Sequence, residues 1–333
     1  MDFDLNDEQK EIKRVANELL ASRSPFAKVR EAAEARAYEP ALWAELVELG
    51  WPGIAVSAEH GGQELGAVGL AVLLEELGYA CAATPFFSTA AAAAVIEATG
   101  TSEQRSRWLP ALASGEATAG IGTRQLAADA HDAAAIVLLD GDDAVLVDRA
   151  DADVQPLDAI DPTRRFATVS GGGEPLGAGA ADRVRSALAA EVVGVCQRAL
   201  DMTLAFVKDR KQFGVPVGSF QAVSHRCAQM LLQTESARSA AYFAAWAADA
   251  DPDRLPEAAA LASAAAADGG REVTASAIQA HGGIGFTWEA DVHWLYKRAQ
   301  LDSALLGGSA RHRATLARLG AARVKQQVGA GAA

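Results

Sequence analysis

The sequence predicts a mainly α-helical chain with a small β domain set between two helical regions. Three observations predict it. Apolar residues recur at helical spacing through the first third and again from Asp182 to the end. Between them lie short branched runs separated by Asp/Gly turns. The composition shifts at the same boundaries: Glu116 to Asp182 holds 11 Asp, 2 Glu, 4 Arg and no Lys, a local charge of −9. The boundaries read as a helical domain over 1–115, a β domain over 116–181, a four-helix bundle over 182–325 and a flexible tail over 326–333.

Asn6 followed by Gln9 is a capping-box pattern that opens the first helix. Ile12, Val15, Ala16, Leu19 and Leu20 then fall on one face of it. Pro40 opens and Gly50 closes a short second helix. Glu64–Tyr79, Phe86–Thr99 and Ser102–Ala113 read as three more. Ala135–Leu139 and Ala144–Val147 flank Asp-Gly-Asp-Asp, the signature of a hairpin, and Phe166–Val169 is a further strand. Four long alanine-rich helices follow, over Arg183–Arg210, Phe220–Asp249, Leu255–His281 and Ala290–Leu319. Joined by short turns, they predict an antiparallel bundle.

With 333 residues, half of them hydrophobic and 22% charged, the chain can bury a large core without staples. Its net charge of −13 argues against nucleic acid or an anionic membrane as partner. Three scattered cysteines, Cys81, Cys196 and Cys227, predict neither a disulfide framework nor a metal cluster, and a reducing cytoplasm is the simplest setting. The longest weakly polar stretch, Thr84–Ala94, is too short to span a bilayer.

Four segments could carry chemistry. Arg210-Lys-Gln-Phe213-Gly214-Val-Pro-Val-Gly218-Ser-Phe220-Gln221 reads as a corner between helices, or as a cation and an amide offered to a phosphate near a helix start. Gln279-Ala-His281-Gly282-Gly283 reads as a helix stop, or as backbone that lets a diphosphate approach closely. Gly307-Gly308 inside a helical pattern marks a kink, close packing or a site. Trp288, His293, Trp294 and Tyr296 read as bundle core before a stacking platform.

Together these segments resemble the acyl-CoA dehydrogenase family, through RKQFGVPVGSFQ ending at Gln221, QAHGGIGFTWEADVHWLYKR over Gln279–Arg298, and WPGIAVSAEHGG over Trp51–Gly62. The resemblance implies an N-terminal α domain, a middle β-barrel domain and a C-terminal bundle. It implies FAD as cofactor, an acyl-CoA as substrate, and removal of an α proton by a carboxylate while hydride leaves the β carbon. It assigns FAD contacts to Arg210, Phe213, Gln221, Gln279, Gly282 and Gly283, typically made to the flavin of a neighbouring subunit, and further contacts to Ser309 and Arg311.

The chain departs from that pattern. The usual catalytic glutamate position holds Gly307, and the alternative on the first bundle helix is near Val184. Asp302 lies about 140° around a regular helix from Gly307, facing away. Asp182 and Glu191 remain as possible bases. The β segment is short, reads Gly120-Ile-Gly-Thr123-Arg-Gln-Leu where the family has a Thr-Glu-Pro run, and has no tryptophan between Trp108 and Trp246. The resemblance therefore implies a subunit that lends its half of the FAD site to a full-length paralogue carrying the base, as in actinobacterial sterol side-chain dehydrogenases. A self-sufficient homo-oligomer with a relocated base and a non-catalytic binding member of the family are the alternatives.

Overall fold

The computed structural model describes residues 4–330, with side chains described through residue 325. Six helices come first: α1 Asp7–Arg23, α2 Phe26–Ala35, α3 Pro40–Glu48, α4 Gly66–Tyr79, α5 Phe86–Thr99 and α6 Ser102–Ala113. The α1 start is the expected reciprocal cap: Gln9 N–H donates to Asn6 Oδ1 (2.8 Å) and Asn6 N–H to Gln9 Oε1 (3.0 Å). Helix α2 had no expectation. It is only ten residues long and carries two buried apolar side chains, Val29 and Ala33, too few to set a period.

Seven strands follow: β1 Ala119–Thr123, β2 Leu126–Ala128, β3 Ala135–Asp140, β4 Asp143–Asp148, β5 Ala152–Leu157, β6 Phe166–Gly171 and β7 Glu174–Pro175. They form one curled sheet in the order β5-β6-β2-β1-β3-β4-β7, with β1 and β3 parallel and the rest antiparallel. The expected hairpin is β3–β4, paired from Ala135↔Asp148 to Asp140↔Asp143. Ile121, Val137 and Leu146 join the helical core, while Ile136, Leu138 and Val147 fill a second small core inside the curl. Burial on both faces explains why Ala135–Leu139 reads as an unbroken apolar run.

The bundle has five helices: α7 Ala180–Asp209, α8 Gln221–Ala250, α9 Leu255–His281, α10 Val292–Leu306 and α11 Ser309–Ala330. The continuous fourth helix expected over Ala290–Leu319 is broken after Leu306, because Gly307 and Gly308 both take positive φ (83° and 74°) and end α10 in a left-handed turn. Helix α11 runs to Ala330 and so enters the segment expected as a tail; residues 331–333 lie outside the described residues.

Helices α4 and α7 cross at contact distance. A Cβ on Gly194 would overlap the Glu75 carbonyl, and one on Gly78 would overlap the Glu191 carbonyl. This close crossing draws α7 into the centre of the molecule and fixes Glu191 there. The N-terminal domain is further tied to the bundle through buried Glu75, which accepts from Lys13 Nζ (2.8 Å), Tyr242 OH (2.8 Å) and Arg238. It is tied to the sheet through buried Asp129, which accepts from Tyr38 and Ser88.

Candidate functional site

Six of the eight residues singled out above lie at one end of the bundle. Chain direction alternates in α7, α8 and α9, so the end of α7, the start of α8 and the end of α9 fall together. The Phe206 and His281 rings stack at 4.4 Å and lock the ends of α7 and α9 to each other. Arg210 caps α7 through its own N–H to the Phe206 carbonyl. Its exposed guanidinium makes no hydrogen bond or ion pair with any described residue. The following turn, with Lys211–Gln212 paired to Val215–Pro216, holds Phe213 at φ 53° and 94% exposed, edge-on to Phe220. A strained backbone that presents an aromatic ring to the outside points to something that covers it.

Gln221 is the first residue of α8 and Gln279 lies two residues before the end of α9, both exposed. A tight turn over Gly282–Phe286 follows α9. A Cβ at Gly282 or Gly283 would meet nothing within 4 Å. Neither glycine is thus required by packing inside this chain. The space they leave opens outward, beside Ile284 (46% exposed), Phe286 (81%) and Trp288 (67%). The expectation that the Trp288–Tyr296 aromatics are bundle core holds for Trp294, 2% exposed, and fails for Trp288, whose exposed ring packs under the Lys297 ammonium at 4.1 Å.

Ser309 and Arg311 are separated from this group. They start α11, beyond the 15 residues of α10, which span about 22 Å. Arg311 reaches back to the β3–β4 turn and pairs with Asp142 at 2.7 Å. Arg185, on α7, donates to the Gly141 carbonyl of the same turn and to Asp182 at 3.1 Å. Burial raises the Asp182 carboxyl, but its partner is this guanidinium.

The two positions where a base was expected hold no acid: Val184 is buried on α7, and Gly307 ends α10. The junction of all three regions is filled by charge. Arg298 donates through Nε to Asp161 Oδ2 (2.8 Å), through Nη1 to Glu191 Oε1 (2.9 Å) and through Nη2 to Thr163 Oγ1 (2.6 Å). Arg164 donates to the same Glu191 oxygen and, through Nη1, to Asp302 Oδ1 (3.0 Å), and lies over the Phe87 ring. All five ionic side chains are at most 2% exposed.

Asp302, expected to face away from the Gly307 position, turns toward this cluster. Glu191, read as a possible base, is held by two guanidiniums. The pattern left one local trace, since Arg298 and Asp302 are four apart on one helix face. Their partners Asp161 and Arg164 sit in a loop of the acidic β segment, where nothing local marks them.

Three carboxylates face two guanidiniums here, and Glu191 Oε2 and Asp302 Oδ2 have no partner among the described residues. Burial, reinforced by Glu191, pushes the Asp302 carboxyl up to about 8, against the pull of Arg164 and Arg298. A raised folded-state value means that the native protein keeps a proton the unfolded chain has lost. Stability from this group is therefore full below about pH 4 and is lost as pH rises toward about 8, by on the order of 1 kcal/mol per pH unit. Asp302→Asn keeps the shape and removes the titration. Chemical unfolding between about pH 5 and pH 8 should show the native chain losing stability relative to this variant. Parallel curves would mean that the carboxyl is ionised throughout.

Helical domains on either side of a curled sheet, with a glycine-bordered, outward-facing bundle end, define a chain of the acyl-CoA dehydrogenase family. The chain belongs to it: residues 6–116 match the acyl-CoA dehydrogenase N-terminal domain and residues 173–320 the C-terminal domain. It is 35% identical over 312 residues to acyl-CoA dehydrogenase IpdE2 of Mycolicibacterium smegmatis, covering 91% of this chain and 96% of that protein. Its fold is similar to a variant of the Tcur3481–Tcur3483 steroid ACAD, with TM-score 0.87, 26% identity and coverage of 96% and 99%. The ChsE4–ChsE5 complex from Mycobacterium tuberculosis shares the fold at TM-score 0.85 and 22% identity, over 96% and 98% of the two chains. Among the described residues no helix is long and apolar enough to cross a membrane.

Proposed function

We propose that this chain is the base-lacking subunit of a heteromeric, FAD-dependent acyl-CoA dehydrogenase that oxidises a steroid-type CoA thioester between Cα and Cβ. The observation that carries the reading is an asymmetry. The bundle end bearing Arg210, Phe213, Gln221, Gln279, Gly282 and Gly283 is open, whereas neither Val184 nor Gly307 is an acid and the buried carboxylates Asp161, Glu191 and Asp302 are each held by a guanidinium. The residues present fit the flavin nucleotide at the open end: an unpaired guanidinium suits a diphosphate, and glycine backbone with open space beside it admits one closely.

In this reading Arg210 balances the diphosphate charge. Gln221 and Gln279 offer amides to the nucleotide, the Gly282–Gly283 backbone lets it approach, and Phe213 covers it. FAD, when bound, supplies the hydride acceptor for a reaction whose base comes from the partner. Glu191 is unsuited to that task because two guanidiniums hold its carboxylate. The steroid-type substrate is supported by relatives, since the Tcur3481–Tcur3483 neighbour is a steroid ACAD.

Purifying the chain alone, and co-purified with a full-length acyl-CoA dehydrogenase paralogue, tests the reading. Flavin and acyl-CoA oxidation are expected only in the mixed complex. Turnover by this chain alone, or an equally active paralogue without it, overturns the proposal.

A further inference from the structure

Helix α11 is held to the rest of the chain lightly. From Ser309 to Lys325 its only buried side chain is His312; Ser309, Thr315, Leu316 and Leu319 are half-buried and the rest are exposed. Helices in proteins are stabilised mainly by a buried apolar face, and this one has a histidine where that face should be. Three ion pairs tie it down along its length: Arg311 to Asp142, Arg313 to Asp268 and Arg323 to Glu257. All three lie at the surface, where such pairs contribute little.

The joint between α10 and α11 is loose. Gly307 and Gly308 turn the chain through left-handed conformations, at φ 83° and 74°. A Cβ on Gly308 would meet nothing within 4 Å, and one on Gly307 only the Arg311 side chain at 3.7 Å. No neighbouring element clamps this turn, and two glycines in succession can change φ at little steric cost.

His312 closes the joint. Its Nε2 lies 2.6 Å from the Leu306 carbonyl, so in the neutral ring Nε2 carries the proton and donates, and Nδ1 is bare. The ring lines a cavity of about 240 Å³ under α11, and the charges around it come from three sides. Helix α7 brings Asp182 and Arg185, the β3–β4 turn brings Asp142, and α11 itself brings Arg311 and Arg318; α9 contributes Pro256 and Ala260. Both carboxylates already face guanidiniums: Asp182 pairs with Arg185, and Asp142 with Arg311. A second proton on the ring would put a further cation among them.

We infer that α11 is a hinged strap that turns about Gly307–Gly308, is latched closed by neutral His312, and is released when that ring takes a second proton. Burial, reinforced by Arg185 and Arg311, holds the ring below its ordinary value, against the pull of the Leu306 carbonyl and Asp142. The latched state thus excludes a proton that a released histidine binds at about pH 6.5. The latch is fully effective above that pH and is lost as pH falls below it. Release bares the cavity and frees the β3–β4 turn from Arg311. The inference does not rest on the FAD reading.

Amide hydrogen exchange of the full chain, corrected for the intrinsic pH dependence, tests it. Exchange in residues 309–325 should rise by up to about ten-fold between pH 7.5 and pH 5.5, relative to α7–α9, which report whether the rest of the chain stays folded. His312→Gln keeps a neutral donor for the Leu306 carbonyl and should abolish the rise. His312→Ala removes the one buried side chain and should leave α11 exchanging fast at both pH values. A change below two-fold in the native chain overturns the inference. So does an undiminished rise in His312→Gln, or native-like protection of α11 in His312→Ala.

Discussion

Replacing Arg298 with alanine is expected to destabilise the chain by about 3–5 kcal/mol, the range for removing one partner of a buried ion pair. The guanidinium is 1% exposed and serves three acceptors, on Asp161, Glu191 and Thr163. Without it Asp161 loses its salt bridge and keeps only the more distant Lys297 ammonium. Glu191 keeps only Arg164, which must also hold Asp302. Two carboxylates would then be buried against insufficient positive charge, and the β5–β6 loop would lose its main tie to α10. For a chain whose total stability is of order 5–15 kcal/mol, this is a large fraction. Thermal or urea unfolding reads it directly. Arg298→Lys should recover only part of the loss, because one ammonium cannot reproduce the planar fork that reaches three acceptors. A drop below about 1 kcal/mol would mean that the cluster is open to water.

The second large effect falls on cofactor retention. Arg210→Ala should leave unfolding unchanged, since the side chain is exposed and makes no hydrogen bond or ion pair with any described residue. In the mixed complex it should cut FAD affinity by roughly 10- to 100-fold, the worth of one charge-assisted contact of about 1.5–3 kcal/mol. Flavin absorbance per complex after gel filtration measures it. The two substitutions separate the parts of the molecule: Arg298 bears on the fold with no reach to the open end, and Arg210 bears on the open end with no reach to the fold. Flavin content unaffected by Arg210→Ala would remove the diphosphate role assigned to that residue.

Much of the architecture was readable along the chain because its causes are local. The capping box at Asn6, the helical spacing of α1, the β3–β4 turn and the long alanine-rich helices each depend on residues within a few positions of one another. The break of the last long helix was marked by Gly307-Gly308, though its outcome was not, since a glycine pair inside a helix can kink it, pack it or end it. Short α2 escaped because two buried side chains make no period. The open bundle end was legible as motif, and the structure adds that six of the singled-out residues share it while Ser309 and Arg311 start α11, with Arg311 paired to the β3–β4 turn.

The sequence by itself determined the order of the helical, β and bundle regions, the family, and the lack of an acid at Val184 and Gly307. Only the tertiary structure decided where the charges went. Arg298 meets Asp161 across 137 positions, and Arg164 meets Asp302 across 138. Periodicity and caps are set within a few residues, whereas a buried ion pair forms only where packing brings distant segments into the same water-free space.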